Sequence, residues 1–245
     1  MRLSAYPKMQ KALEVLPPKM LALASGQPAE AIVQPTVDLQ MRVEDVKRRI
    51  NTATFTGKGD KDAVPVLYTD FIERLVGALA LTLAIGDLAG ACSLDDVMQR
   101  LSSFADRALD RAIGDAARVR TKGEGTDGFF ALALGKHGAC ELNYSSDIDP
   151  ILLFDPEVLA TGERSGPAET AQRMARDILR LLSDHTEEGY VFRVDLRLRP
   201  SPEVTPIALP VNAAISHYET IAEAWERAAF IRARHVGGDA SISAY

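Results

Sequence analysis

Apolar residues recur at helical spacing in two segments before residue 119. In the first segment every fourth position is leucine or phenylalanine: Leu67, Phe71, Leu75, Leu79 and Leu83. Nearly every other position from Val76 to Ile85 is also apolar, so we expect a helix that is buried on most sides and ends at Gly90. Ser93 and the two acids after Leu94 are typical of a helix N-cap and first turn. A second helix is therefore predicted from Leu94 to Ile113, and both helices are interpreted as scaffold.

The period of the pattern changes after Val119. Phe129–Leu134 is a continuous apolar run, which is typical of a central strand. A second strand is predicted over 148–154, after a loop of small residues. Tyr190–Leu198 alternates apolar and polar or charged residues, which predicts a half-buried third strand. Pro150 cannot donate a ladder hydrogen bond, so we expect it at a strand start, an edge or a bulge.

The remaining segments complete a predicted division of the chain at residue 118. We expect a mainly helical region over 1–118 and a core with C-terminal helices over 119–245. Within that core the pattern predicts a proline-rich loop over 201–210 and helices over 168–184, 211–218 and 221–233. Residues 1–60 carry no decisive pattern.

Composition narrows the class of protein only moderately. The chain has 245 residues, enough for one large domain or two small ones, and its net charge of −6 argues against a nucleic-acid-binding protein. Its two cysteines are not in CxxC spacing, so neither a disulfide framework nor a zinc site is predicted. There is no signal-peptide pattern, and the apolar run Leu75–Ile85 is about half the length that spans a bilayer. We therefore expect a cytoplasmic protein without a membrane partner.

The most informative stretch is GKHGACELNYSSDIDPILLFDP, over residues 135–156. Asp147 and Asp149 are two residues apart, so in an extended strand both project to one side, with Ile148 turned into the core. Two carboxylates on one face repel each other, and a divalent cation removes that cost. Gly135, Gly138 and Ala139 precede them and leave the backbone open for a phosphate.

A third acid lies in VFRVDLRLRP, over residues 191–200. If this segment is a strand, Asp195 shares one face with Arg193, Arg197 and Arg199. One acid among three arginines suits a site that holds both a metal and phosphate oxygens. An exposed strand would also alternate its charges, so this segment alone does not decide between the two interpretations.

Together these motifs resemble a known family. ALGKHGACELNYSSDID, followed by VFRVDLRLRP and AWERAAFIRAR, resembles the glutamine synthetase adenylyltransferase/adenylyl-removing enzymes. The resemblance covers about residues 75–239. It is stronger to the N-terminal, adenylyl-removing copy of the domain than to the C-terminal copy. The chain departs from the family pattern at four positions: His137 (usually Leu), Ala139 (usually Gly), Cys140 (usually polar or basic) and Pro150 (usually Leu).

This resemblance implies a fold, a reaction and partners. The fold is α+β: a DNA-polymerase-β-like nucleotidyltransferase core, a mixed sheet with flanking helices, plus an N-terminal helical region. The whole protein would be several times longer, so the chain would be a fragment. The implied enzyme removes AMP from a tyrosine of glutamine synthetase by phosphorolysis, releasing ADP and regulating nitrogen assimilation. Its implied partners are glutamine synthetase, the PII signal protein, ADP or ATP, and phosphate.

The resemblance also implies the site residues. Asp147, Asp149 and Asp195 would be catalytic and would bind two Mg²⁺ or Mn²⁺ ions. The nucleotide or the attacking phosphate would contact a further set of residues: Lys136, Gly138, Ala139, Ser146, Arg197 and Arg199. A solvated lysine and a salt-bridged strand face are the alternatives for Lys136 and for the arginines.

Two other functions stay open at this point. One is the forward reaction, ATP-dependent adenylylation of glutamine synthetase, which is the activity of the other copy in the family. The other is a catalytically silent nucleotide-sensing module, which the changes at Ala139 and Pro150 would favour and the three intact acids oppose.

Overall fold

The computed structural model describes residues 79–80, 83–84, 86–87, 90, 92–121, 125–161, 165–185 and 189–241. The chain divides into two units, Met1–Val97 and Met98–Tyr245. The predicted division at residue 118 stays a prediction. Most of the first predicted helix lies outside the described residues, although the described positions between 79 and 87 are helical. Gly90 follows in a turn with φ of 68°, a conformation that glycine adopts without a steric cost.

The second predicted helix is confirmed and is longer than expected. Helix α1 spans Leu94–Arg120, and Ser93 caps it, because its hydroxyl accepts the Asp96 N–H at 3.1 Å. The Asp96 carboxylate accepts the Ser93 N–H in return, at 3.1 Å. Within the second unit, apolar residues at three- and four-residue spacing are buried along one face: Leu101, Phe104, Ala105, Ala108, Leu109, Ala112 and Ile113.

Four strands form one mixed sheet in the order β3-β2-β1-β4. Strands β1 (Phe129–Leu134) and β2 (Asp149–Phe154) are antiparallel, with Leu134 opposite Asp149. Strand β4 (Arg234–Gly238) pairs antiparallel with the other edge of β1. Strand β3 (Ala208–Pro210) pairs parallel with β2. The predicted α+β class with a mixed sheet is confirmed.

Helices connect and cover these strands. A single turn, α2 (Gly135–Gly138), follows β1, and α3 (Pro167–Ser183) follows β2. Helices α4 (Val211–Thr220) and α5 (Ala224–Phe230) lie between β3 and β4. The core cluster joins three strands and α4 through Phe130, Leu134, Ile151, Leu153, Leu209 and Ala214. No helix in the described part of the chain has the length and hydropathy needed to cross a membrane.

The predicted third strand over 190–198 is wrong. This segment makes one isolated parallel bridge, between Ile148 and Val194, and then turns. The cause is local, because the Asp195 carboxylate accepts the backbone N–H of Arg197 at 2.9 Å and competes for a donor that a ladder needs. Pro200 then removes another donor.

Two real strands were not predicted. The proline-rich pattern predicts a loop at Ala208–Pro210, and the pattern predicts no element at Arg234–Gly238, but both segments are strands. Pro150 lies at the second position of β2, opposite Ala133 and ahead of Leu152, where the pairing with β3 begins. It therefore sits at a strand start, as expected.

Candidate active site

A single bridge brings the three predicted acids together. Ile148 is fully buried, and its N–H donates to Arg193 O at 3.0 Å while its carbonyl accepts the Asp195 N–H at 2.9 Å. Segment 193–195 therefore lies along the same edge as β3. It pairs with Ile148, just before β2, whereas β3 pairs with residues 152–154 of β2. Because Asp147 and Asp149 flank Ile148, the bridge sets Asp195 beside both of them.

Asp149 is the acid whose charged form is disfavoured by its surroundings. Burial, together with the neighbouring Asp195 and Asp147 carboxylates, raises its pKa to about 6, although His137 and Arg197 oppose this rise. Gly135, which has φ of 58°, leaves room for this carboxylate: a Cβ there would lie 2.5 Å from Asp149 Oδ2. The sequence at this position is therefore constrained by the acid as well as by the turn.

The other two acids are paired with arginines. Arg193 donates from Nε to Asp147 Oδ1 and from Nη2 to the carbonyl of Ser145. Arg197 donates from Nε to both oxygens of Asp195, at 3.0 and 2.8 Å, and from Nη2 to Oδ2. The hydrogen bonds from Arg197 hold the pKa of Asp195 below its usual range against the effect of burial. Both arginine side chains are exposed, at 53% for Arg193 and 84% for Arg197.

This donor set has the chemistry of a Mg²⁺ or Mn²⁺ site, since both ions prefer carboxylate oxygens. Asp149 supplies a carboxylate that an added cation would stabilise in its charged form. In the described arrangement, however, no group of three or more His, Cys, Asp or Glu side chains could hold a metal ion. The residues fit a divalent cation only if Asp147 and Asp195 exchange their arginine partners for it.

The residues predicted to bind phosphate differ in their exposure and in the contacts that they make. Ser146 bonds through its hydroxyl to Asn143 at 3.0 Å, in the turn before Asp147. Gly138 is buried, and a Cβ there would lie 2.1 Å from the carbonyl oxygen of Arg232, so its missing side chain serves backbone packing. Ala139 is half-buried and its N–H donates to Gly135 O at 3.2 Å. Lys136 is exposed.

Arg199 stands apart from the acids. Its guanidinium donates to the carbonyls of Leu196 and Pro202, at 2.8 and 2.7 Å, and so braces the turn that follows the bridge. Of the three arginines predicted on one strand face, only Arg193 and Arg197 contact the acids. The sequence pattern places Arg193 beside Asp195 but names it in no individual contact.

A second, more buried network of polar side chains contacts the α2 turn, and the sequence analysis did not predict it. Arg234 on β4 donates to both oxygens of Asp106 on α1, at 2.7 and 3.0 Å, and to the carbonyl of His137 at 3.1 Å. The fully buried His137 places Nε2 2.8 Å from Asp106 Oδ1, and its Nδ1 has no partner in the described part of the molecule. We call Asp106, His137 and Arg234 the anchor.

The anchor belongs to a polar stripe along α1. Ser102 Oγ accepts the Leu142 N–H at 3.3 Å, and Asp110 Oδ1 accepts the Gly238 N–H at 3.0 Å. Ser102, Asp106 and Asp110 recur every fourth residue, and each directly follows a buried apolar residue: Leu101, Ala105 and Leu109. That spacing was the signal available in the sequence, because polar groups beside the buried face of a helix need partners.

Comparisons with known proteins match the chain to one family. A family model described as glutamate-ammonia ligase adenylyltransferase matches residues 69–245. The chain is similar to bifunctional glutamine synthetase adenylyltransferase/adenylyl-removing enzymes from several bacteria. It is 45% identical over 184 residues to that of Caulobacter vibrioides (71% of this chain, 19% of that protein). It is 44% identical over 174 residues to that of Mesorhizobium japonicum (66% and 18%) and 38% identical over 208 residues to that of Rhizobium meliloti (79% and 21%). The chain thus spans roughly a fifth of the length of these relatives.

Proposed function

Because the chain belongs to the glutamate-ammonia ligase adenylyltransferase family, we propose that it removes AMP from adenylylated glutamine synthetase by phosphorolysis. An oxygen of inorganic phosphate forms a bond to the phosphorus of the AMP–tyrosine, and the bond from that phosphorus to the phenolic oxygen breaks. ADP leaves, and the tyrosine oxygen takes up a proton. The relatives' name joins an adenylyltransferase to an adenylyl-removing activity, and the wording of NYSSDID and VFRVDLRLRP favours the removing one.

The observation that carries this proposal is the convergence of Asp147, Asp149 and Asp195 through the Ile148–Val194 bridge. Three carboxylates beside two exposed arginines suit phosphoryl-group transfer, because the acids attract cations and the arginines attract phosphate oxygens. No general base is needed, since phosphate is already an anionic nucleophile.

In this proposal each residue has a defined task. Bound divalent cations would neutralise charge on the transferred phosphoryl group and align the attacking and leaving oxygens. Asp147, Asp149 and Asp195 hold them, and Asp149 is the one of the three that forms no ion pair with an arginine in the described part of the chain. Arg197 orients the attacking phosphate. It suits this role better than Arg199, whose guanidinium already donates to three backbone carbonyls. Contacts of Lys136, Gly138, Ala139 and Ser146 with the nucleotide stay predictions.

The two competing functions are outcomes of the same test. ATP-dependent adenylylation would use the same acids, so no geometric feature separates it from removal. The silent module loses one of its supports, because Pro150 sits at the start of β2 and leaves the β1–β2 register continuous. Binding of the PII signal protein, a requirement for two Mg²⁺ or Mn²⁺ ions and a cytoplasmic location are also proposals for the whole protein.

The experiment incubates the chain with adenylylated glutamine synthetase and Mg²⁺, with and without phosphate, and separates the nucleotides. We expect ADP to appear only when phosphate is present. Asp147→Asn and Asp149→Asn should each lower the rate at least about 100-fold, because each keeps the side-chain shape but removes a charged ligand. Asp184→Asn, at an exposed carboxylate after α3, is the matched control and should leave the rate unchanged.

Three results would contradict the proposal. Release of AMP without phosphate would indicate hydrolysis. Transfer of AMP from ATP to unmodified glutamine synthetase, with no removal, would assign the forward reaction. Full activity of either Asn variant would remove the acids from the mechanism.

A further inference from the structure

Arg193 and Arg197 occupy the carboxylates that a cation would need. Asp195 accepts three hydrogen bonds from the Arg197 guanidinium and one from the Arg197 backbone, so both of its oxygens are covered. Asp147 Oδ1 accepts from Arg193. Each oxygen of Asp195 already accepts two of these hydrogen bonds, so neither has a lone pair left for a metal ion.

The exposure of both arginines allows these two ion pairs to exchange partners. Both guanidiniums are largely in solvent, and exposed ion pairs of this kind contribute little to stability. A divalent cation brings twice the charge of a guanidinium to the same oxygens, so it competes effectively for them. The backbone that carries the acids need not move, since the Ile148–Val194 bridge holds it independently of either side chain.

Once released, the arginines stay near the acids. Arg197 is within electrostatic reach of Asp147 and Asp149 as well as Asp195. Arg193 is also tied to the carbonyl of Ser145 and interacts with Tyr190, and these contacts do not involve the acids. Two freed guanidiniums beside a bound cation form a positive surface whose planar N–H groups match the oxygens of a phosphate.

We propose that Arg193 and Arg197 are exchangeable counter-cations: they neutralise Asp147 and Asp195 before metal binding, and metal binding releases both to bind the phosphate nucleophile. This inference rests on the proposed function and adds an order of binding to it, metal before phosphate. It also gives Arg193, which the sequence pattern places beside Asp195, the same two-step role as Arg197. Arg199, whose Nη1 and Nη2 groups donate to backbone carbonyls, takes no part in the exchange.

The direct test follows the arginine Nε–Hε groups by ¹H–¹⁵N NMR spectroscopy while Mg²⁺ is added to the 245-residue chain. Resonances are assigned with Arg193→Lys and Arg197→Lys. We expect both signals to shift toward the position of solvent-exposed arginine as Mg²⁺ binds, and to shift again when inorganic phosphate is added. Arg173, which pairs with Glu169 on α3 and is 44% exposed, is the matched control and should not respond.

A second measurement uses Mn²⁺ affinity from titration calorimetry. Arg193→Gln and Arg197→Gln remove the competitor and should each tighten Mn²⁺ binding about two- to fivefold. The Lys variants keep the charge but lose the planar fork, so they should also bind Mn²⁺ more tightly than the wild type, by a smaller factor. With Mn²⁺ saturating, the Gln variants should bind ADP more weakly than the wild type while their affinity for adenosine is unchanged.

The outcomes separate this inference from the proposed function. Binding of Mg²⁺ with unmoved Arg193 and Arg197 signals would overturn the exchange and leave phosphorolysis intact. Lys variants identical to the wild type, with Gln variants altered, would reduce both arginines to a general field effect and would also overturn it. No binding of Mg²⁺ or Mn²⁺ by the wild-type chain would overturn the proposed function and the exchange together.

Discussion

The anchor and the acid site, which consists of Asp147, Asp149 and Asp195 with Arg193 and Arg197, contain the same kinds of charged groups. Their surroundings differ in exposure to solvent. In the anchor, Arg234 is about one-third exposed, and it donates to one carboxylate and two backbone carbonyls beside a fully buried histidine. At the acid site, Arg193 and Arg197 are mostly in solvent, and each serves one carboxylate. An ion pair with several buried partners fixes backbone segments, whereas an exposed pair can exchange its partner. The chain thus separates the charges that hold the α2 turn in place from the charges that we propose to act in the reaction.

The largest effect on stability is expected when the anchor loses its arginine. Arg234→Met keeps much of the side-chain volume but leaves Asp106 with His137 as its remaining partner, so the free energy of unfolding should fall by about 3 kcal/mol. Chemical denaturation at pH 7 measures this. Arg193→Ala, in the other region, should leave the midpoint unchanged. Equal losses in the two variants would erase the distinction between the two regions.

An intermediate effect, of opposite sign, is expected at Asp149. Its pKa rises from 3.8 to about 6 in the folded protein, which means that the folded state binds a proton that the unfolded state has lost between these values. Stability therefore falls as the pH rises through this window, and the cost is fully present above about pH 6. Asp149→Asn should stabilise the chain by about 1 kcal/mol at pH 8, after the reduction that solvent screening imposes on a half-exposed group.

Two controls make the Asp149 prediction specific. The gain should vanish below about pH 3, where the carboxylate is protonated in both states, and the same variant should lose Mn²⁺ binding. A destabilised Asn variant at pH 8 would show that the Asp149 carboxylate is supported by contacts other than those described.

The smallest effect is expected at His137. His137→Leu introduces the residue that the family motif has at this position and breaks the contact with Asp106 Oδ1. It also removes a buried Nδ1 that lacks a partner among the described residues, so the two changes offset each other. We expect a change in unfolding free energy of less than about 1 kcal/mol, measured by thermal and chemical denaturation. A loss as large as that of Arg234→Met would mean that the histidine, rather than the arginine, holds the anchor together.

The parts that could be predicted from the sequence are those encoded locally. Strands β1 and β2 are continuous apolar runs, which can be recognised in the sequence without knowledge of their partners. The DxD spacing predicted that Asp147 and Asp149 flank a buried Ile148, as the structure shows. The family was also identified correctly, because its two motifs are long and nearly continuous in this chain.

The parts that could not be predicted depend on contacts distant in sequence. Strand β3 has three residues, and β4 contains two glycines, so neither carries a pattern of its own and each is defined by pairing with β2 or β1. The alternation over 190–198 misled because Asp195 captures the Arg197 N–H with its own side chain. The Asp106–Arg234 pair joins residues 128 positions apart, although the Ser102, Asp106 and Asp110 stripe signalled that α1 needed polar partners.

The most direct measurement of the central claim is transfer of label from phosphate. The chain is incubated with adenylylated glutamine synthetase, Mg²⁺ and ³²P-labelled inorganic phosphate, and the nucleotides are separated by chromatography. Phosphorolysis at Asp147, Asp149 and Asp195 predicts labelled ADP, with all of its label in the β-phosphate and none formed by Asp149→Asn. Release of unlabelled AMP, or labelled ADP formed equally by Asp149→Asn, would contradict the account.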